Sequence, residues 1–246
     1  MNLLMPELIT SFCGQNFFYT NSFEPNLTSR LIVDSAKKLD LEGKAILDLG
    51  CGCGALGLSL IKLKPKSIDL LDLSQGALQD CKTNINNLNL NLFKTDLNII
   101  QGDCFTGLDE NKQYDLIIND VSGISETIAK LSPWFTNAPC NSGVDGISLF
   151  KRIILQAKYF LRPGGILLSP LLSLSNITQA RLFLDELFLE YQVTNKQNWF
   201  LPDEMALKFK EEIEGQIKSG NIALDYKFGK FIAWTEVLSF KKEDYR

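Results

Sequence analysis

The chain has 246 residues, 45% of them hydrophobic and 22% charged, with 25 Lys and Arg against 29 Asp and Glu for a formal charge of −4. That length suits one hydrophobic core with decorations, and that balance excludes a disordered chain, a collagen-like repeat and a disulfide-dense miniprotein. Histidine is absent, so a Ser-His-Asp triad, a Cys-His dyad, histidine-ligated zinc and a histidine general base are all excluded.

Residues 1–25 carry a cluster of aromatics, Phe12, Phe17, Phe18, Tyr19 and Phe23, and are expected to form a substrate-side or lid segment ahead of one main domain over 26–246. Met1 to Ser11 lacks a basic stretch and is interrupted by Pro6 and Glu7, and no run approaches the ~18 apolar residues of a membrane span. The chain therefore reads as soluble and cytoplasmic. From Asn26 to Leu39, Leu27, Leu31, Ile32, Ser35 and Leu39 fall on one helical face, with Asn26 as N-cap after Pro25.

From Ala45 the pattern changes to short apolar runs separated by helical periodicity. AILDL leads to a helix from Ala55 to Lys62, then SIDLLD, a helix from Gln75 to Leu88, LNIIQ and YDLIIN. A helix from Asp145 to Leu161, GILLS after Pro163-Gly164-Gly165, and a helix from Thr178 to Leu189 follow. Strands of about five residues alternating with helices imply a doubly wound α/β domain built on a parallel sheet. Asp203 to Lys218 reads as one charged helix, 219–221 as a turn, and Lys230 to Phe240 as a last strand.

In such sheets ligands bind beyond the carboxyl ends of the strands, near the point where strand order reverses. The first strand runs into Asp48-Leu-Gly-Cys-Gly-Cys-Gly-Ala-Leu-Gly57, a glycine-rich turn that lets backbone approach a nucleotide-type cofactor. Gly52, Gly54 and Gly57 also fit the dinucleotide fingerprint, with Asp72 lying 18 residues after Gly54, so glycine spacing alone does not choose between cofactors. Asp48 does discriminate: a carboxylate just before the glycines repels a pyrophosphate and complements the cationic amino-acid moiety of S-adenosylmethionine. Asp72, ending the second strand in Leu-Asp-Leu-Ser, is suited to a ribose diol. Asp103 and the Cys104 N–H, after the third strand, are suited to an adenine edge.

D-L-G-C-G-C-G, L-D-L-S, G-D-C-F and L-R-P-G-G, in this order across about residues 26–190, resemble the class I S-adenosylmethionine-dependent methyltransferases. The resemblance implies a Rossmann-like, mostly parallel seven-stranded sheet with helices on both faces and an antiparallel last strand, over a methyltransferase domain of 26–246. It implies that Asp48, Gly50, Gly52, Asp72 and Asp103 line the cofactor pocket. Cys51, Gly54, Leu73, Cys104 and Asp120 complete the candidate cofactor-binding set.

The stretch 142–154 (SGVDGISLFKRII) is further similar to the protein glutamine N5-methyltransferases that act on release factors. That subfamily has Asn-Pro-Pro-Tyr after the fourth strand, where this chain has Asp120-Val121-Ser122-Gly123. The amide, both prolines and the aromatic ring are gone. Asp120 and Ser122 are the candidate catalytic residues, Asp120 to orient or deprotonate an acceptor and Ser122 as a second polar contact. A loop acid that merely caps the following turn is the competing reading of Asp120.

Cys51 and Cys53 form a C-x-C with no matching pair and no histidine, so no metal is expected, and the six cysteines read as reduced thiols. Lys37-Lys38, Lys62 with Lys64 and Lys66, and Lys241-Lys242 read as solvated ends of elements, so no polyanion partner is expected. Trp134, Phe135, Pro139 and Cys140 could wall a substrate or cap the sheet, and Trp199 and Trp234 read as core or interface. The expected activity is methyl transfer from S-adenosylmethionine to an N or O acceptor on a small molecule or protein side chain. The alternatives are an RNA or DNA base methyltransferase, a catalytically degenerate methyltransferase-like binding subunit, and a nicotinamide-dependent oxidoreductase.

Overall fold

A hairpin of β1 (Ile9–Phe12) and β2 (Gln15–Phe18) precedes helix α1 (Leu27–Ala36). The computed structural model describes residues 8–88, 94–121, 123–135, 140–187 and 189–243. It divides into two units: Met1–Asp120 with Ala157–Leu168 and Lys241–Arg246, and Val121–Gln156 with Ser169–Phe240.

In the first unit, α1 begins where the sequence expects. The Asn26 side chain accepts from the Thr28 N–H at 2.7 Å and the Ser29 N–H at 3.4 Å, while Ser29 Oγ accepts from the Asn26 N–H at 3.1 Å. This reciprocal capping box satisfies otherwise orphaned donors of the first turn. Then follow β3 (Ala45–Leu49), α2 (Ala55–Ser59), β4 (Ser67–Asp72), α3 (Gln75–Asn87), β5 (Asp96–Gln101) and β6 (Tyr114–Asn119). Strand β7 (Leu161–Leu172) enters from the first unit and continues into the second. The strands lie in the order β5-β4-β3-β6-β7, every neighbouring pair parallel. All five residues of β3 are buried, the continuous run of a strand covered on both faces. The chain moves outward from β3 through β4 to β5 and returns to β6 beside β3, so strand order reverses between β3 and β6 and opens a crevice at their carboxyl ends.

The second unit holds α4 (Glu126–Leu131), most of α5 (Ser148–Phe160), α6 (Ile177–Glu186), β8 (Gln192–Phe200), α7 (Asp203–Lys208), α8 (Lys210–Lys218), β9 (Asp225–Lys227) and nearly all of β10 (Lys230–Lys241). β10 pairs antiparallel with β8 and with β9, and the Ser173 N–H donates to the Trp234 carbonyl at 2.9 Å. Counting β7 and β10 once each, the described residues supply the seven strands of the expected path with the last strand antiparallel, and β9 in addition. The fold is thus the doubly wound, mostly parallel α/β sheet that the alternation of runs implies.

The expected single helix from Asp203 to Lys218 is two helices. The chain leaves helical geometry at Phe209 (φ −121, ψ 31), between α7 and α8. Ile124, Leu174, Met205, Ile213 and Phe231 form the buried core of this unit. Trp134, Phe135, Cys140 and Trp199 pack against it, with Trp134 edge-on to Trp199 at 6.0 Å. Pro139 lies outside the described residues. The aromatics of the N-terminal hairpin are likewise used for packing: Phe12 and Phe17 are buried and meet edge-on at 6.3 Å.

One charge sits inside the first unit's sheet. Asp69 of β4 is wholly buried, accepting from the Tyr114 hydroxyl at 2.6 Å and Asn98 Nδ2 at 2.8 Å, and it pairs with Lys112. Burying a carboxylate is costly unless it is paired and hydrogen-bonded, and these three partners offset that cost for Asp69. Tyr114→Phe removes one of these partners at no cost in shape, and is expected to destabilise the protein by about 2 kcal/mol. Thermal unfolding should register this as a midpoint about 4–8 °C lower.

Candidate functional site

The crevice of the first unit gathers the acids at successive strand ends. Asp48 is the fourth residue of β3, Asp72 ends β4, Asp103 lies two residues beyond β5, and Asp120 directly follows β6. Register fixes this alignment, since Asp48 stands opposite Ile118 on one side and Leu70 on the other, Leu49 opposite Asn119, and Asp72 opposite Gln101.

The glycine turn is held to the end of β4 by its own backbone. The Gly50 and Cys51 N–H groups donate to the Leu71 carbonyl at 2.8 and 2.9 Å, and the Gly52 N–H donates to Asp72 Oδ2 at 2.9 Å. Gly54 occupies the left-handed region at φ +82, and a Cβ there would stand 2.8 Å from Cys81 Sγ. Both requirements select glycine. Asp72 has its other oxygen, Oδ1, accepting from the Ser74 N–H at 2.8 Å. A carboxylate offers about four acceptor positions, so each oxygen keeps capacity for a ligand hydroxyl.

Asp48 is wholly buried. Its Oδ2 accepts from the Gly57 N–H at 2.8 Å, while Oδ1 is buried with no partner among the described residues. Leaving a buried carboxylate oxygen unsatisfied is costly and marks a position where a ligand donor fits. Burial pushes the Asp48 carboxyl up to about 7; the negative fields of Asp120 and Asp72 add to this and the Gly57 N–H opposes it.

Asp120 is half-buried, with Oδ2 accepting from the Ser29 hydroxyl at 2.5 Å. Burial raises its carboxyl to about 7 against the lowering effect of that hydrogen bond. Ser122 lies outside the described residues. Leu73 is 52% exposed beside Asp72, an apolar surface of the kind a planar ring can cover. Beyond β5 a tight turn presents Asp103 and Cys104: the Asp103 N–H donates to Thr106 Oγ1 at 2.7 Å, and Cys104 is left-handed at φ +52. Cys51 and Cys53 are buried, and burial raises both thiols, Cys53 to about 12, so they pack as neutral small side chains.

Sequence reasoning missed the supports. Asp80 of α3 accepts from the Asn21 N–H at 2.7 Å, Asn21 Nδ2 at 3.0 Å and the Ser22 hydroxyl at 2.9 Å. Asn84, one turn on, accepts from the Phe18 N–H at 2.8 Å and donates to the carbonyls of Phe18 and Cys53, both at 2.9 Å. Polar residues at i and i+4 on a helix facing inward were the available signal. Nothing local signalled Ser29, which is 91 residues from Asp120.

Three comparisons bear on this arrangement. Residues 21–121 match the family model described as the methyltransferase small domain, which takes in the glycine turn and all four strand-end acids. A release factor glutamine methyltransferase of Streptococcus pneumoniae is 32% identical over 127 residues, 49% of this chain and 43% of that protein. A ribosomal protein uL3 glutamine methyltransferase of Neisseria gonorrhoeae is 32% identical over 127 residues, 50% of this chain and 41% of that protein. The chain spans about half the length of the curated relatives it matches. Among solved structures, a precorrin-6y C5,15-methyltransferase of Geobacter metallireducens superposes with a TM-score of 0.54 at 14% identity, covering 89% of this chain and 94% of that one. The 16S rRNA methyltransferase of T. thermophilus in complex with AdoMet and guanosine gives 0.57 at 16% identity, covering 97% and 50%. The doubly wound, mostly parallel α/β fold is shared with both. Among the described residues no helix is long and apolar enough to cross a membrane.

Proposed function

We propose that the first unit binds S-adenosylmethionine and that the protein transfers its methyl group to a nitrogen or oxygen acceptor on a protein side chain or small molecule, in the cytoplasm. The observation that carries this reading is the unpartnered, fully buried Oδ1 of Asp48 beside a glycine turn whose backbone is fixed to Asp72. An ammonium group satisfies that oxygen and relieves its burial, whereas a pyrophosphate placed there would meet like charge. The cofactor supplies a methyl group already activated on a sulfonium. What remains for the chain is to bind, orient and exclude water.

In this reading Asp48 takes the amino-acid end of the cofactor, Gly50, Cys51, Gly52 and Gly54 provide backbone against it, Asp72 holds the ribose diol, and Asp103, Cys104 and Leu73 frame the base. Asp120 stands at the end of β6 where the acceptor enters, receiving or orienting its N–H or O–H, with Ser122 as a second contact. Residues 1–25 are assigned to the substrate side. The relatives' names make glutamine side chains of translation release factors and of ribosomal protein uL3 the first acceptors to try.

The test is transfer of labelled methyl from S-adenosylmethionine to those two proteins and to a panel of small amines and alcohols, alongside calorimetric titration with S-adenosylhomocysteine. Binding with transfer to at least one acceptor supports the reading. Failure to bind either cofactor form overturns it. Asp120→Ala is expected to keep cofactor binding within about threefold while lowering the transfer rate by roughly 100-fold or more, the scale of a lost positioned acid or base.

A further inference from the structure

Helix α1 contributes to the crevice through one hydroxyl. Ser29 is the third helical residue, 1% exposed, and its Oγ works in two directions: it accepts from the Asn26 N–H at 3.1 Å and donates to Asp120 Oδ2 at 2.5 Å. A serine hydroxyl has one proton and two lone pairs, so the capping bond occupies a lone pair and leaves the proton for the carboxylate. The helix N-terminus adds partial positive charge on the same side. The bond from Ser29 takes Oδ2 of the carboxylate and not Oδ1.

We infer that Ser29 is a positioning residue for Asp120: it commits Oδ2 to helix α1 and so presents Oδ1, as a hydrogen-bond acceptor, to the group that receives the methyl. This rests on the assignment of Asp120 to the acceptor side of the crevice. The consequence for chemistry is directional. With Oδ2 held by a donor, ionised Asp120 takes an N–H or O–H from the acceptor at Oδ1, and can draw off its proton as the new bond to carbon forms and the bond from carbon to sulfur breaks. Protonated Asp120 can still accept a hydrogen bond but cannot draw off the proton, so the Ser29 hydroxyl, which favours the ionised form, also sets the pH above which the site works as a base.

The charged groups around Asp120 do not offer the same control. Asp48 on β3 interacts with Asp120 and with Asp72 on β4 beyond it, and all three are acids that supply no positive charge. On α1, Arg30 and Asp34 pair with each other at 3.9 Å and are about half exposed. On β7, Arg162 pairs with Asp115 at the opposite end of β6. Ser29 is the named group that favours the ionised carboxylate.

The test follows the Asp120 carboxyl directly, by carbon-13 NMR titration of the full chain, its signal assigned by loss in Asp120→Asn. The midpoint, about 7 in the parent, should move upward in Ser29→Ala and in Ser29→Cys, which keeps the size with a weak donor and serves if alanine prevents folding. Ser29→Thr, with the hydroxyl restored, should bring it back. Asn26→Ala breaks the cap while leaving the Ser29 hydroxyl and the Asn26 N–H in place, and should leave the midpoint unmoved. An unmoved midpoint in both Ala and Cys variants overturns the inference, as does an Asn26→Ala shift as large as that of Ser29→Ala. Titration of every variant with S-adenosylhomocysteine separates the two readings: loss of binding in the parent sinks the cofactor assignment, while the midpoint alone decides the role of Ser29.

Discussion

Replacing Asp72 with alanine is expected to weaken S-adenosylhomocysteine binding by about 100-fold or more, measured by calorimetry on the ligand-stripped protein. Two hydrogen bonds from ribose hydroxyls to a carboxylate contribute about 1.5–3 kcal/mol each, and losing both, about 3–6 kcal/mol, reaches that factor. A second loss adds to the first, since Asp72 also accepts from the Gly52 and Ser74 N–H groups and the glycine turn loses its side-chain anchor with it. Asp72→Asn separates the two. The amide oxygen can accept from one backbone N–H but the other position becomes a donor, so binding should fall between parent and alanine variant. A wild-type affinity in Asp72→Ala would remove Asp72 from the site.

The second large effect is on stability against pH. Asp48 and Asp120 ionise near 7 in the folded chain, above their ordinary 3.8. Between about pH 4 and pH 7 the folded state therefore holds protons that the unfolded chain has released, and stability falls as pH rises through that window, flattening above it. From pH 6 to pH 8 each such acid accounts for about 1.4 kcal/mol, and about 2 kcal/mol is a fair total for two that interact. The unfolding midpoint should be about 4–8 °C lower at pH 8 than at pH 6. Asp48→Asn, which keeps an oxygen for the Gly57 N–H, should remove about half of that slope. A midpoint that rises from pH 6 to pH 8 would mean that neither acid is held protonated.

The sequence carries the parallel half of the fold openly because its strands are buried on both faces and its helices are amphipathic; AILDL and SIDLLD cannot be placed otherwise. The same physics hides the rest. Strand β8 is a mostly exposed edge with no alternation to read, so QVTNKQNWF gives no strand signal. The break at Phe209 has neither Gly nor Pro to mark it. The hairpin of β1 and β2 turns at Cys13-Gly14, both left-handed at φ +49 and +77, whereas the recognisable turn of this kind is Asn-Gly or Asp-Gly. In the crevice the strand-end acids follow from topology, since strand ends meet at the reversal of strand order. Ser29, Asp80 and Asn84 act across distances of 31 to 91 residues, and their partners are set only once the chain has folded. Asp80 and Asn84 in particular are polar residues that α3 buries.

Asn84 has a consequence for cooperativity. One amide ties the backbone of Phe18 on both its N–H and its carbonyl, and ties the carbonyl of Cys53 in the glycine turn. The N-terminal arm and the turn are thereby parts of one opening unit, since neither can leave without stripping a buried amide of its partners. Any ligand that quietens the turn must, by reciprocity, hold the arm more tightly, and slack in the arm must loosen the ligand. The aromatic hairpin is in this sense energetically inside the crevice while standing outside it.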